Sequence, residues 1–388
     1  MDFELSDTQR ETRGLAQKVC AAFDDSYWLE KDRAGHFPRE FYHAIADAGL
    51  LGIAMPEDVG GVGLGISEAA VLMRTVAESG AGMAGASSIH MNIFGLQPVV
   101  VFGTDEQKRR FLPPLIQGTE KACFAVTEPD AGLNTTQIKT RAVRDASGYI
   151  LSGQKIWIST AQVADKALIL ARTTPLSDVK KKTDGLSLFY TSLDRSCVEI
   201  REIEKMGRHA VDSNMLFIDN LRVPEADRIG DEGAGFRMLL HGLNPERILV
   251  AAEAIGLGTV ALRRASQYAR ERIVFDRPIG QNQSIQHPLA RSWMLIESAY
   301  LMVLKAADLY DRGQECGAEA NAAKYLAAEA AFTACETAMQ VHGGMGYSAE
   351  YHVERYMREC FIPRTAPISP QMILNFVAEK VLGLPKSY

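Results

Sequence analysis

An acid and a base stand side by side in the stretch LNPERILVAAEAIG: Glu246 and Arg247, at the head of a long apolar, alanine-rich run. No further charge follows until Glu253. A carboxylate among apolar walls can serve as a general base when burial lifts its pKa toward neutrality. The same residues also read as an ordinary helix start. Asn244 suits an N-cap, Pro245 suits the first turn, and Glu246 falls where the helix dipole favours negative charge. The two readings pull the carboxyl in opposite directions, since the dipole lowers its pKa and desolvation raises it.

Four other stretches exceed what packing requires. In CFAVTEPDAGLNTT (123–136) a strand runs into Glu128-Pro129 and a turn at Gly132, an arrangement that can present N–H groups and a hydroxyl to a flat polar ligand, or form a barrel corner. In GQKIWIST (153–160), Trp157 is either a core residue or a stacking wall. QVHGGMGY (340–347) ends an alanine-rich helix on Gly343, Gly344 and Gly346, more glycine than a helix stop needs, which suits a cofactor lying on bare backbone. In RERIVFDRPIGQNQSIQHPLA (270–290), Arg272 and Gln283 could meet a phosphate or be a solvated helix end.

The elements that must position these residues fall into three regions. Residues 1–120 read as helical, with apolar residues at three- and four-residue spacing in DTQRETRGLAQKVCAAF, PREFYHAIADAGLLGI and GISEAAVLMRTVAES. Ser6 and Asp7 offer caps to the first, and Pro38 opens the second. Residues 121–230 are rich in β-branched and aromatic residues with frequent turns, which predicts a small antiparallel β-domain, a barrel or sandwich. Its strands include two around Ala146-Ser147-Gly148, then KALILART, LSLFYTSL and NMLFIDNLRVP. Residues 231–388 return to long helices whose alanines and glycines allow close approach, a C-terminal four-helix-bundle-like domain. GLGTVA within them mimics a nucleotide fingerprint but has no strand before it and reads as packing. The fold class is therefore α+β and multidomain.

Composition narrows the function further. The 388 residues are 47% hydrophobic and 23% charged, with a net charge of −6 and no dense basic stretch, which argues against nucleic acid as a main partner. VKKKTD (179–184) reads as an exposed loop. The opening MDFELSDTQRETRG lacks the apolar core of a signal peptide, and no uncharged run reaches a bilayer's thickness. The six cysteines show no C-x-x-C pair and the eight histidines no ligand spacing, so the expectation is a cytoplasmic protein with reduced thiols and no protein-bound metal.

Taken together and in this order, AVTEPDAG, GQKIWIS, MGRHAVDSN, ERI with the following Arg, Phe and Gln, and HGGMGY resemble the acyl-CoA dehydrogenase family of flavoenzymes, over essentially the whole chain. The resemblance implies FAD between the β-domain and the C-terminal helices. It places the backbone and hydroxyl around Phe124, Val126 and Thr127 at the pyrimidine edge of the flavin. Trp157 would lie on the ring, with Ile158 and Ser159 near its reactive nitrogen. Ser159 stands where family members usually carry threonine.

The resemblance also directs Arg272, Phe275, Gln283, Gln340, Val341, Gly343 and Gly344 toward a neighbouring subunit's FAD, with Ser369 and Gln371 as further cofactor contacts. Such sharing implies at least a dimer, and tetramers are usual. The implied reaction is α,β-desaturation of an acyl-CoA thioester to a trans-2-enoyl-CoA, with electrons passing to an electron-transfer flavoprotein. Many members carry the base in a C-terminal E-G-T segment, but the matching APIS (366–369) puts Pro367 at that place, and proline cannot be a base. Isovaleryl-type and long-chain members put the glutamate on the helix opened here by Glu246. The resemblance thus makes Glu246 the catalytic base and Arg247 and Asn244 substrate-side residues.

Two departures stand out. The family's A-G-S-D is Ala131-Gly132-Leu133-Asn134 here, which removes a serine hydroxyl. Pro367 also lacks the backbone N–H usually given to the thioester carbonyl. An acyl-CoA oxidase, a desulfinase and a non-catalytic partner subunit are the alternatives on the same scaffold.

Overall fold

A computed structural model describes residues 4–387. Seven helices come first: α1 (Asp7–Cys20), α2 (Asp25–Ala34), α3 (Arg39–Asp47), α4 (Ile66–Val76), α5 (Gly82–Phe94), α6 (Gln97–Phe102) and α7 (Asp105–Ile116). The cap expected at Ser6 forms a full capping box: its hydroxyl accepts from the Gln9 N–H and the Gln9 side chain accepts from its own, both at 3.1 Å.

Eight strands follow: β1 (Ala122–Ala125), β2 (Arg141–Arg144), β3 (Gly148–Ser159), β4 (Lys166–Arg172), β5 (Leu186–Ser192), β6 (Val198–Glu202), β7 (Ser213–Pro224) and β8 (Arg228–Ile229). They form one sheet in the order β6-β7-β3-β2-β4-β5-β8, with β1 joined to β4. The hairpin around Ala146-Ser147-Gly148 is present, with Arg144 opposite Tyr149. The sheet is mixed rather than wholly antiparallel, because β1 and β2 each run parallel to β4.

Helices α8 (Gly235–His241), α9 (Leu243–Glu271), α10 (Gln283–Asp311), α11 (Gly317–His342), α12 (Val353–Glu359), α13 (Ile362–Thr365) and α14 (Pro370–Phe376) complete the chain. GLGTVA lies inside α9 and is packing, as expected: a Cβ on Gly256 would stand 2.3 Å from the Arg74 carbonyl of α4, and one on Gly258 would stand 3.1 Å from Ala331 of α11. Helix α9 is thus the shared spine of both helical regions. Its Ile248, Leu249 and Ile255 join one buried cluster with Phe41, Ile45 and Leu72 from the first region and Val303 and Ala331 from the last. A second cluster packs Phe111, Leu112 and Leu115 of α7 onto Leu168, Leu188 and Tyr190 of the sheet. The head of α9 is therefore held between the N-terminal helices and the C-terminal bundle, and α8 just before it packs on β5 of the sheet.

Candidate active site

Asn244 does not cap the helix. Helix α9 begins one residue earlier, and Gly242 holds the cap position with no side-chain bond. Only Gly242 separates α8 from α9, so the chain never extends at residue 244 as an N-cap must. Asn244 instead stands in the first turn, where its Oδ1 accepts from Arg247 Nη1 at 2.9 Å. Pro245 is in that first turn, as expected.

Glu246 lies deep enough in α9 that its own N–H already donates to the Gly242 carbonyl, at 3.2 Å. The free N–H groups whose dipole would lower its pKa belong to the residues before it. Its side chain keeps some accessible surface but is enclosed by protein. Burial pushes its pKa up to about 7; His90 and Arg247 pull it down and Glu253 adds to the rise. Burial is the largest influence on this carboxyl.

Behind Glu246 is a buried polar network. Glu253, two turns further along α9, is 1% exposed and hydrogen-bonds Nδ1 of His90 on α5. Burial works against a charged His90, but the Glu253 carboxylate and then Glu246 raise its pKa above the ordinary value. Arg208 donates to the hydroxyls of Ser87 at 3.1 Å, Ser159 at 3.0 Å and Ser213 at 3.2 Å. Its backbone is held at a left-handed φ of 57°. His90 and Arg208 were not singled out in the sequence. The legible signal was Glu253, a lone charge in an apolar run.

Trp157 is not a core residue. The β3–β7 register shifts between Lys155 and Ile158, and Trp157 takes a left-handed φ of 61° in that bulge. The bulge turns its indole outward, 58% exposed, while Ile158 is buried. The bulge is braced from the segment just after β1: the Ile156 N–H donates to the Thr127 carbonyl at 3.0 Å, and the Thr127 hydroxyl donates back to the Ile156 carbonyl. Lys155 is buried beneath, donating to the Val126 carbonyl at 3.0 Å, to Glu128 at 3.0 Å and to the Leu170 carbonyl at 2.7 Å. Phe124 and Thr127 are partly exposed and Val126 is buried.

The remaining expected residues fall elsewhere. Arg272, Phe275, Gln283, Gln340, Gly343 and Gly344 are exposed, and Val341 is buried. Phe275 is 92% exposed. Gly343 ends α11 at φ 57°, a cap that only glycine fits easily, whereas a Cβ on Gly344 would meet nothing within 4 Å. Ser369 caps α14, its hydroxyl accepting from the Met372 N–H at 3.4 Å, and Gln371 is exposed. The segment around Pro367 is tied to the bundle by Lys324, whose Nζ donates to the Ile368 carbonyl at 2.6 Å. A cavity bordered by Arg13, Arg74, Glu78 and Arg263 lies along α1 and α4 and includes none of these site residues.

Profiles of the acyl-CoA dehydrogenase N-terminal, middle and C-terminal domains match residues 6–119, 123–221 and 233–382. The acyl-CoA dehydrogenase FadE12 of Mycobacterium tuberculosis is 38% identical over 398 residues, covering 100% of this chain and 99% of that protein. Butyryl-CoA dehydrogenase from Megasphaera elsdenii superposes with a TM-score of 0.93 at 30% identity, over 98% of this chain and 100% of its own. A structure described as an electron transferring flavoprotein of Acidaminococcus fermentans gives 0.94 at 30% identity, over 98% and 100%.

The chain belongs to the acyl-CoA dehydrogenase family. It is an oxidoreductase acting on acyl-CoA, with FAD as its cofactor. The residues present fit that cofactor. An outward-facing indole with hydroxyls at Thr127 and Ser159 on the neighbouring strand ends suits a flat ring with a polar edge. The open backbone at Gly344 and the exposed Arg272 suit a pyrophosphate.

Proposed function

We propose that the protein desaturates an acyl-CoA thioester between its α- and β-carbons, and that Glu246 is the base. One observation carries this reading: a desolvated carboxyl at the head of α9 whose pKa is lifted to about 7, where it accepts a proton without being fully protonated beforehand. The carboxylate takes the α-proton, and when bound FAD supplies the acceptor for the hydride leaving the β-carbon. The product is a trans-2-enoyl-CoA. Arg247 and Asn244, hydrogen-bonded to each other beside Glu246, orient the substrate.

The backbone and hydroxyls of Phe124, Val126, Thr127, Ile158 and Ser159 hold the flavin edge, and Trp157 holds its face. Arg272, Phe275, Gln283, Gln340, Val341, Gly343 and Gly344, with Ser369 and Gln371, serve a cofactor shared between subunits. Exposed apolar side chains on α10, among them Trp293 and Met294, support a protein that works as at least a dimer, and as a tetramer by the family's habit. The thioester carbonyl takes its backbone hydrogen bond from a residue other than Pro367. An electron-transfer flavoprotein is the acceptor, a reading supported by the likeness to the Acidaminococcus structure.

Single-turnover flavin reduction by a good acyl-CoA substrate tests the base. Glu246→Gln should fold, keep FAD and bind acyl-CoA, yet reduce its flavin roughly 10²–10⁴-fold more slowly, the usual worth of a general base. Near-normal reduction would leave Glu246 as a helix residue and place the base elsewhere. Peroxide release with oxygen consumption would make the enzyme an oxidase.

A further inference from the structure

The buried network behind Glu246 has no part in the reaction as described so far. It brings four charged or chargeable groups within electrostatic reach of one another: Arg208, Glu253, His90 and Glu246. Glu246 and Glu253 are seven residues apart on α9, so they share a face two turns apart, at about 10 Å along the axis. His90 comes from the neighbouring α5 and hydrogen-bonds Glu253 from that face. One turn beyond His90, Phe94 meets its ring edge-on at 4.4 Å and approaches Phe124 of β1 at 6.4 Å, so the imidazole lies toward the strand that bears the flavin-edge residues. Ser87, on the same face of α5, takes a hydrogen bond from Arg208, which also holds the Ser159 hydroxyl.

We propose that His90, clamped by Glu253, is a positioning residue for proton abstraction: it holds a positive charge at the floor of the site that keeps Glu246 a usable carboxylate near neutral pH. The proposal rests on Glu246 being the base. Desolvation alone would leave that carboxyl protonated and unable to accept the α-proton. Two cations oppose desolvation, His90 and Arg247. Arg247 is committed to Asn244 Oδ1. His90 is committed to Glu253, and that carboxylate lifts its pKa above the ordinary value although burial and the Arg208 guanidinium work against it. Glu253 is needed because an isolated imidazole buried at this depth would be neutral.

A buried ion pair that only pins α5 to α9 would predict something different from a pair that sets the base, and the pH profile separates them. The measurement is flavin reduction by an acyl-CoA substrate in the FAD-loaded enzyme, followed across the range in which Glu246 titrates. In His90→Gln the acid limb should move to higher pH by about one unit, as expected for losing a nearby opposite charge. The rate on the high-pH plateau should stay within a few-fold of wild type, because Glu246 still takes the proton. The double variant His90→Gln/Glu253→Gln also removes the repelling carboxylate, so its limb should fall between wild type and the single variant. A limb that stays in place, or a rate lowered by the same factor at every pH, overturns the proposal.

Histidine 15N spectra of the wild-type enzyme give a check independent of how the variants fold. His90 should be an imidazolium throughout the pH range of the acid limb, and a neutral ring there overturns the proposal. Glu246→Gln serves as the control for the underlying reading. If it reduces flavin at the normal rate, the assignment of the base fails. If it is slow while His90→Gln keeps the wild-type limb, only the role of His90 fails.

Discussion

A carboxyl whose pKa is about 7 in the folded protein and 4.5 ordinarily works against folding. Between those two values the folded state holds a proton that the unfolded state releases, so stability falls as pH rises through this window. Above pH 7 the loss is complete and amounts to at most about 3 kcal/mol. Glutamine carries no such penalty. Glu246→Gln should therefore match the wild-type Tm near pH 4.5 and exceed it increasingly up to pH 7, with a constant gain beyond. Thermal melts of the FAD-loaded proteins over that range would show it, and a gap independent of pH would mean that burial does not raise this pKa. The Glu246–Arg247 pair was legible in the sequence because two adjacent charges open an apolar run. The role of Asn244 was not, since capping depends on whether the preceding chain extends, and α8 comes within one residue of α9. His90 was illegible for a different reason: a lone histidine on an apolar helix looks like core, and its partner is 163 positions away.

At the scale of elements, helix spacing and strand alternation predicted most segments, while pairings needed the structure. KALILART is apolar on both faces, the mark of a strand covered on both sides, and β4 has that burial pattern with β5 on one edge and β1 and β2 on the other. Nothing local in the sequence says that β1 runs parallel to it from more than forty residues upstream. Trp157 was ambiguous because a bulge, a feature of the pairing and not of the residue, decides which way the indole points. Glycine in α9 was read correctly as packing, and it yields a prediction. Gly256→Ala would drive a methyl to within 2.3 Å of the Arg74 carbonyl, so α4 and α9 must part, at a cost of about 1–3 kcal/mol. Gly14→Ala in α1 meets open space and should stabilise by about 0.5–1 kcal/mol through helix propensity alone. Urea denaturation of the two variants should move in opposite directions, and equal shifts would remove close helix approach as the reason for Gly256.

At the scale of the whole molecule, the residues expected to reach a second subunit's FAD are, Val341 apart, ones this chain leaves bare. Phe275 is 92% exposed and held at a left-handed φ of 53°, an expensive conformation for an aromatic side chain with nothing of its own chain to cover it. Gly344 has room for a methyl within its own chain, so a substitution there acts only through whatever packs on it from outside. Gly344→Ala should therefore leave the melting of the FAD-free protein unchanged and weaken FAD retention in the assembled enzyme. Arg272→Ala should weaken retention as well, by roughly ten- to a hundredfold in Kd, because a phosphate charge would lose a charged hydrogen-bond partner. Sedimentation and flavin absorbance on the same samples check both. A wild-type protein that runs as a monomer with a full complement of FAD would break the link between the exposed surface and the cofactor. So would a Gly344→Ala variant that melts early without FAD but holds it normally.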